Sequence, residues 1–576
     1  QGPALPVPER CFQQVFEAWA QKTPLHHAVV CEHETVTYAE LNRRANGIAH
    51  ALLEHGLESG DTVAVLTDIC DGLPAVVLGI WKAGAAYLPL AADHPPERLA
   101  HMMADAKARI LVVPDNLPVP AALSDMATAV LTPDCRQPTE RRPDIVRPAD
   151  SVAYVIYTSG TTGMPKGVPI SHAAMINTIQ ESARAIRLTA DDRVALVATP
   201  SFDASLWELG LGLLNGAALA PISKSLRDDP WAMKDYYAKM AVTVAFHAPS
   251  YLRISKNKPF NGLRVLIVGG EPSSHEDVNI HGREVEFWHA YGPTETTIIV
   301  SLEHIPPFPD PSRPLSVGPP LANTLISIRN GGGQPVPPGV IGEIWLGGLG
   351  LSRGYLNNDE LTAERFVTVD GCRFYRSGDL GCWTDDGRLV IKGRMDHQIK
   401  IHGQRIELEE IETALLALPD VTEAIVLVEN AANGTQFLRG FVAMAQGCVL
   451  PGEADWHPRL AARLPHYMIP ATLTAIERIP LTVNGKVDRT ALLQLVGEAQ
   501  VEVIKTPPST SMEVLIAPIW SELLGQDVCR EDNFFGLGGN SLLAVAMAHR
   551  LSKALAVSIP ARYLYTAPTL AVFAAR

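Results

Sequence analysis

Apolar and polar positions change period repeatedly along the 576 residues, and each change marks a new element. Across 40–55, Leu41, Ala45, Ile48, Ala49, Leu52 and Leu53 recur on one helical face, and Gly56 follows as a C-cap. Thr62-Val63-Ala64-Val65-Leu66 is then a short apolar run of the kind a buried strand needs. The alternation continues through 193–198, 242–246 and 265–268, which predicts an α/β core with mostly parallel sheets. From about 325 the strand signals shorten and turns such as Asp370-Gly371 and Asp386-Gly387 multiply, so a smaller β-rich subdomain is expected over about 325–393. Residues 397–495 mix strands at 424–428 and 438–443 with helices at 407–418 and 456–464, the pattern of a small α+β domain. The stretch 501–510 holds Pro507-Pro508 and reads as a linker. Helical spacing returns at 512–524, where Pro518 should kink the chain, and at 541–555. Residues 1–10 are Pro-rich and expected to be mobile.

Length and charge narrow the class. A chain of 576 residues is too long for one core. With 47% apolar and 19% charged residues it has the composition of a soluble globular enzyme. A net charge of -14 opposes nucleic-acid affinity, so any phosphate site must be local. The 8 cysteines are scattered without a C-x-x-C, as in a reduced, cytoplasmic protein. No apolar run is long enough to span a membrane, and residues 1–20 lack the pattern of a signal peptide.

One loop carries chemistry. After the apolar run 152–156 comes Tyr157-Thr158-Ser159-Gly160-Thr161-Thr162-Gly163-Met164-Pro165-Lys166-Gly167. Glycines let the backbone approach an anion, hydroxyls add donors, and lysine adds charge. The order is not that of a Walker loop. By composition alone it is equally a surface turn. Its companions are Ala290-Tyr291-Gly292-Pro293-Thr294-Glu295, Ser377-Gly378-Asp379, Gly393-Arg394-Met395-Asp396 and Asn484-Gly485-Lys486-Val487-Asp488-Arg489. Each is weak alone. In this order and spacing they resemble the core motifs of the adenylate-forming enzymes, and more narrowly the adenylation domains of nonribosomal peptide synthetases. Trp81-Lys82-Ala83-Gly84-Ala85 and Leu464-Pro465-His466-Tyr467 match further motifs, as does 400–407, where His402 replaces the usual arginine.

The resemblance implies an adenylate-forming (ANL-type) α/β multidomain fold. It divides the chain into a core over 1–395, a mobile subdomain over 396–496 hinged near Asp396, a linker over 497–510 and a four-helix-bundle carrier over 511–576. It implies ATP and Mg²⁺ as cofactors. Thr158, Ser159, Gly160, Thr161, Thr162, Gly163 and Lys166 would hold the leaving phosphates, with Thr162 contributing to catalysis. Glu295 would bind the metal. Tyr291 would stack on adenine, with Gly270, Glu271, Pro272, Ala290, Gly292, Thr294 and Ile391 around the nucleotide. Asp379 would accept the ribose hydroxyls beside Arg394. Lys486 would bridge the substrate carboxylate and the α-phosphate, and the 400–405 face would replace it for thioester formation.

By the same resemblance Asp203 pairs with an α-ammonium, which selects amino acids; the bland alternative is a helix N-cap. Phe202, Ala204, Trp207, Phe246, Ile267, Gly269, Ala290, Ile298 and Ile299 would complete an apolar pocket for a branched aliphatic side chain, valine first, then isoleucine or leucine. Gly538-Gly539-Asn540-Ser541-Leu542 resembles a carrier site, with 4′-phosphopantetheine on Ser541. The partners implied are a phosphopantetheinyl transferase and a condensation or tailoring enzyme in trans; the need for a small MbtH-like activator stays open. Two rival readings are an acyl- or aryl-CoA ligase with a fused carrier, which Asp203 opposes, and a non-catalytic carrier scaffold, which the intact motifs oppose.

Overall fold

The computed structural model describes residues 1–576 except 115–116, 133–137, 161–163, 257, 397, 402–403, 431–435, 481–486, 500–505, 540, 558, 561–562 and 565–566. Two large sheets form the first part of the chain. One has eight strands in the order Ser301–Ile305, Glu286–Tyr291, Val265–Gly269, Val244–His247, Arg193–Leu196, Ala218–Pro221, His27–Val30 and Thr35–Thr37. Its inner strands are parallel and only its two ends are antiparallel. The other has six strands and is likewise parallel up to Val152–Thr158, which turns back antiparallel into Lys166–Ser171. That reversal makes the loop between them. Helices on both faces cover the strands; Phe12, Phe16, Tyr38, Trp81, Tyr154 and Trp207 are almost fully buried between the layers.

The expected β-rich unit is an antiparallel sheet from Thr324–Arg329 to Leu389–Arg394. Its long strand Cys372–Trp383 pairs with Phe366–Val369 at one end and Leu389–Arg394 at the other. Next comes a three-stranded sheet of Val421–Asn430, Gln436–Met444 and Thr472–Ile476. One face packs Val426, Leu438 and Val442 on helices Leu408–Leu416 and Glu453–Ala461, together with Ile401 and Ile406 of a small hairpin. The other face packs Leu427 and Phe441 against Leu492 and Val487.

The last unit is helical. Helix Ser511–Leu524 opens with a Thr510/Glu513 capping box, holds Pro518 within it, and stops at Gly525 in the left-handed region. Its Trp520 is fully buried against Phe534 and Phe573; truncating such a residue costs about 3–5 kcal/mol. One expectation fails. The first residues do not lie free: Gly2 N–H donates to Thr324 O at 2.9 Å, Asn323 N–H to Pro3 O at 2.8 Å, and Leu5 N–H to the Asn323 side chain at 3.0 Å. Backbone groups do the tethering, so proline content did not predict mobility.

Candidate functional site

A cavity of about 800 Å³ opens at the carboxyl ends of the parallel strands, where the first part of the chain meets the small subdomain. Strand ends and the turns after them supply Phe246, Gly269, Gly270, Ala290, Gly292 and Thr294; helix Asp203–Leu213 supplies Asp203, Ala204 and Trp207. Phe202, Ile298, Ile299, Thr158, Ser159, Asp379 and Arg394 also line it, as do Lys400 and Arg405 from the small subdomain. Ile267 pairs with Phe246 across the sheet but is fully buried and outside the lining. Gly269, one step nearer the strand end, reaches the cavity. A Cβ there would sit 2.9 Å from Ala290 O and 3.3 Å from Phe246, so the glycine keeps the floor open.

Asp203 is the first residue of its helix; Phe202, not Asp203, is the N-cap. Burial raises its pKa to about 6, against opposing help from the Thr294 hydroxyl and Lys400. No ion pair to it occurs among the described residues. The wall opposite is strained: Thr297 and Ile298 have φ of 65° and 67°, a conformation branched side chains rarely take. Gly292 permits it, because a Cβ there would lie 2.5 Å from Ile299 Cα.

Strand register builds the next group. Asp379 lies directly opposite Arg394, and their side chains form an ion pair. The Tyr291 hydroxyl donates to the other Asp379 oxygen at 2.5 Å. Arg394 also holds Asp396 at 2.7 and 2.8 Å, which ties the expected hinge residue to the Asp379–Arg394 pair.

Glu295 is the electrostatic hub. It is 0% exposed. The Tyr355 hydroxyl donates to it at 2.8 Å, and Arg405 Nη1 reaches both its oxygens at 3.0 and 2.9 Å. Burial alone would raise its pKa; Arg405 first and Lys166 next hold it at about 2. Lys166 lies 4.9 Å over the Tyr355 ring, and burial, aided by Arg405, lowers its pKa to about 8. The Ser159 hydroxyl donates to Arg405 O at 3.1 Å. Arg98 and Glu410 form a buried ion pair between helices Pro96–Asp105 and Leu408–Leu416. The small subdomain therefore presents Lys400, Gln404 and Arg405 to the cavity. Thr161, Thr162, Gly163 and Lys486 lie outside the described residues. Glu271 accepts from Ser250 N–H at 3.1 Å, Ile391 packs in the β-rich core, and neither they nor Pro272, Tyr291 or Gly160 line the cavity.

The helical unit docks on the same mouth. Its helix Ser541–Leu555 begins at Ser541, and Val545, one turn on, lines the cavity. His549 Nε2 meets Asp229 at 2.9 Å, and the Arg550 guanidinium lies 3.8 Å over the Trp231 ring. Neither contact was legible in the sequence; nor were the Arg98–Glu410 pair or the Tyr355–Glu295 hydrogen bond. A charged rim also went unread: Arg227 pairs with Asp68, and Lys224 with Asp93 at 2.9 Å.

This fold and site define an adenylate-forming ligase with a helical carrier attached. The comparisons agree. Residues 16–356 match the AMP-binding enzyme family, 410–486 the AMP-binding enzyme C-terminal domain, and 515–576 the phosphopantetheine attachment site. The chain belongs to the nonribosomal peptide synthetases, as an adenylation domain followed by a peptidyl carrier domain. It is 37% identical to tyrocidine synthase 3 of Brevibacillus parabrevis over 98% of its own length and 9% of that protein. It is 38% identical to surfactin synthase subunit 1 of Bacillus subtilis (strain 168) over 96% of its length and 15% of that protein. The chain thus spans a small part of these relatives. Holo-PA1221, an NRPS protein containing adenylation and PCP domains bound to a vinylsulfonamide inhibitor, superposes with a TM-score of 0.82 at 25% identity, covering 98% of this chain and 96% of that one. A four-domain synthetase, holo-AB3403 bound to AMP and glycine, matches at 31% identity and a TM-score of 0.61, over 100% of this chain and 43% of that one.

Proposed function

We propose that this chain activates an amino acid with ATP, releasing pyrophosphate, and passes the aminoacyl group to its own carrier. The observation that carries the amino-acid reading is Asp203: a half-buried carboxylate, raised in pKa by desolvation, that lines the cavity with no ion-pair partner among the described residues. A substrate ammonium supplies the missing charge. Trp207, Phe246, Gly269, Ile298 and Ile299 favour a branched aliphatic side chain, valine first. An acyl-CoA ligase reading leaves Asp203 without a role.

The division of the chain into core (1–395), subdomain (396–496), linker (497–510) and carrier (511–576) follows from this reading. Ser159 and Lys166 with their loop grip the β,γ-phosphates, and Asp379 holds the ribose. Lys486 neutralises the two anions as they meet. Mg²⁺ would be held by one carboxylate, Glu295, plus substrate phosphates. When bound, the metal would stabilise charge on the leaving group. Ser541 would carry the phosphopantetheine arm, whose thiol takes the aminoacyl group as a thioester. A phosphopantetheinyl transferase and a condensation or tailoring enzyme complete the cycle. No helix among the described residues is long and apolar enough to cross a membrane. Amino-acid-dependent pyrophosphate exchange, with mass spectrometry on Ser541 after phosphopantetheinylation, tests the reading. Valine-dependent exchange and a valyl adduct are expected; exchange with no amino acid would sink it.

A further inference from the structure

Strand Arg193–Leu196 ends just before the segment that leads into the pocket helix Asp203–Leu213. Val197 and Ala198 lie past the end of the strand, so their N–H groups require new partners. Both donate to one oxygen of Glu208, at 2.8 and 2.9 Å. Glu208 follows Trp207 in the helix and is 1% exposed. Its carboxyl group closes 197–208 into a ring. Within that ring Ala198, Thr199, Phe202, Asp203, Ala204 and Trp207 line the cavity, whereas Glu208 stands behind them. The turn inside the ring is fixed as well: Phe202 N–H donates to Thr199 O at 2.8 Å, and the Ser205 hydroxyl to Phe202 O at 2.6 Å. Arg227 meets the outer side, where its Nη1 donates to Val197 O at 3.4 Å.

We propose that Glu208 is a positioning residue for amino-acid recognition: its carboxyl group, bound to two backbone N–H groups, sets where Asp203 and Trp207 stand relative to the strand end. This rests on reading Asp203 as the partner of the substrate ammonium. A helix is stiff over one turn, so Asp203, Ala204, Trp207 and Glu208 move together. Removing the Glu208 carboxyl group would leave two buried N–H groups without an acceptor. The ring would open toward water to satisfy them, and Asp203 would shift against Gly269 and Ala290 on the neighbouring strand ends. Glu208 acts here as a neutral acid. Its Oε1 has no hydrogen-bond partner among the described residues. Burial raises its pKa to about 8, against the two N–H groups and Arg227. The titratable groups that face it are Arg227, from helix Lys224–Arg227, and Tyr237, from helix Pro230–Lys239; of these Arg227 alone favours its charge. Ionisation would put charge on an oxygen without a donor, which the ring must open to solvate. Glutamine copies the neutral acid, because its carbonyl accepts both N–H groups and its amide replaces the acid O–H.

The test is pyrophosphate exchange by the full chain with valine, isoleucine and leucine as probes. Glu208→Ala should raise KM for the amino acid about 10–100-fold, the cost of a small misplacement in such a site, and leave KM for ATP near wild type. A residue that only stabilised the fold would lower the amount of active protein and leave both KM values alone. Glu208→Gln should restore the amino-acid KM at pH 7. The wild type and the glutamine variant should part above pH 8, where the wild-type KM climbs as Glu208 ionises. Titration of the substrate amine affects both proteins alike, so the excess rise in the wild type is the signal. A wild-type amino-acid KM in Glu208→Ala overturns the proposal. So does a glutamine variant that shares the alanine defect or keeps the excess alkaline rise. If Glu208→Ala does not fold, the two pH profiles decide. Failure of the amino-acid reading itself looks different: exchange would need no amino acid, or Asp203→Asn would leave it untouched.

Discussion

Asp203→Asn should make the protein more stable and far less active. The pKa of Asp203 stands at about 6 against an ordinary aspartate value of 3.8, chiefly through burial. The folded chain therefore binds a proton that the unfolded chain releases. Above pH 6 the charged side chain disfavours the fold by about 3 kcal/mol, at about 1.4 kcal/mol per tenfold change in proton affinity; water in the cavity trims this toward about 2. The cost fades as pH falls from 6 toward 3.8. Asparagine has no charge to bury, so the variant should melt a few degrees higher at pH 8 and lose that advantage near pH 4. Catalysis should move the other way. In the function proposed above the carboxylate pairs with the substrate ammonium, and breaking one side of such a pair costs about 3–5 kcal/mol. That is about 10²–10⁴-fold in kcat/KM for the amino acid. The wild type should show the same group in its pH profile, with KM for the amino acid rising as pH falls through about 6. Pyrophosphate exchange and thermal melts at pH 8 and pH 4 measure both arms. If Asp203 served only as a first-turn anion of its helix, asparagine would lower the melting temperature slightly and leave exchange near normal; that result would refute the reasoning.

Arg98→Ala strands Glu410 in a buried site, which should disfavour the closed subdomain by about 3–5 kcal/mol; thioester transfer in single turnover should slow at least 100-fold while pyrophosphate exchange persists. Asp229→Ala with Trp231→Ala removes the contacts to His549 and Arg550, together about 1–2 kcal/mol, and also the N-cap that buried Asp229 gives helix Pro230–Lys239. Loading of Ser541 should slow about 5–30-fold, with adenylate formation unaffected, and equal loss in both assays would contradict a docking role. Lys486→Ala should abolish adenylation yet spare thioester formation from supplied adenylate; parallel loss of the two would end that division of labour.

The alternation of helix and buried strand was enough to foresee the parallel sheets, and the β-rich unit followed from its turns. The family resemblance put Phe246, Ile267 and Gly269 together in the pocket. Alternation could not tell that Ile267 lies one step too deep to touch the cavity, because period two gives a side and not a depth. Asp379 with Arg394 was visible as two loop motifs; strand register, absent from either motif, makes them a pair. Contacts between parts that meet only in space left no pattern. Arg98 and Glu410 are separated by 312 positions, Glu295 and Arg405 by 110. Each is an ordinary charged residue on its own helix or strand, and most such residues simply face water. The tether of residues 2–5 runs through backbone groups, to which composition is blind.

The left-handed pair Thr297–Ile298 has a consequence for how this pocket could change over time. Each such residue holds about 1–3 kcal/mol of backbone strain, stored in the wall that a substrate side chain would meet. A glycine at 298 would release it, so selection for heat resistance alone would find that substitution attractive. The same substitution would erase the branched side chain that shapes the wall and free the loop to take other forms. Robustness and discrimination are thus set against each other at one residue, and a lineage that keeps isoleucine there is being held to its diet.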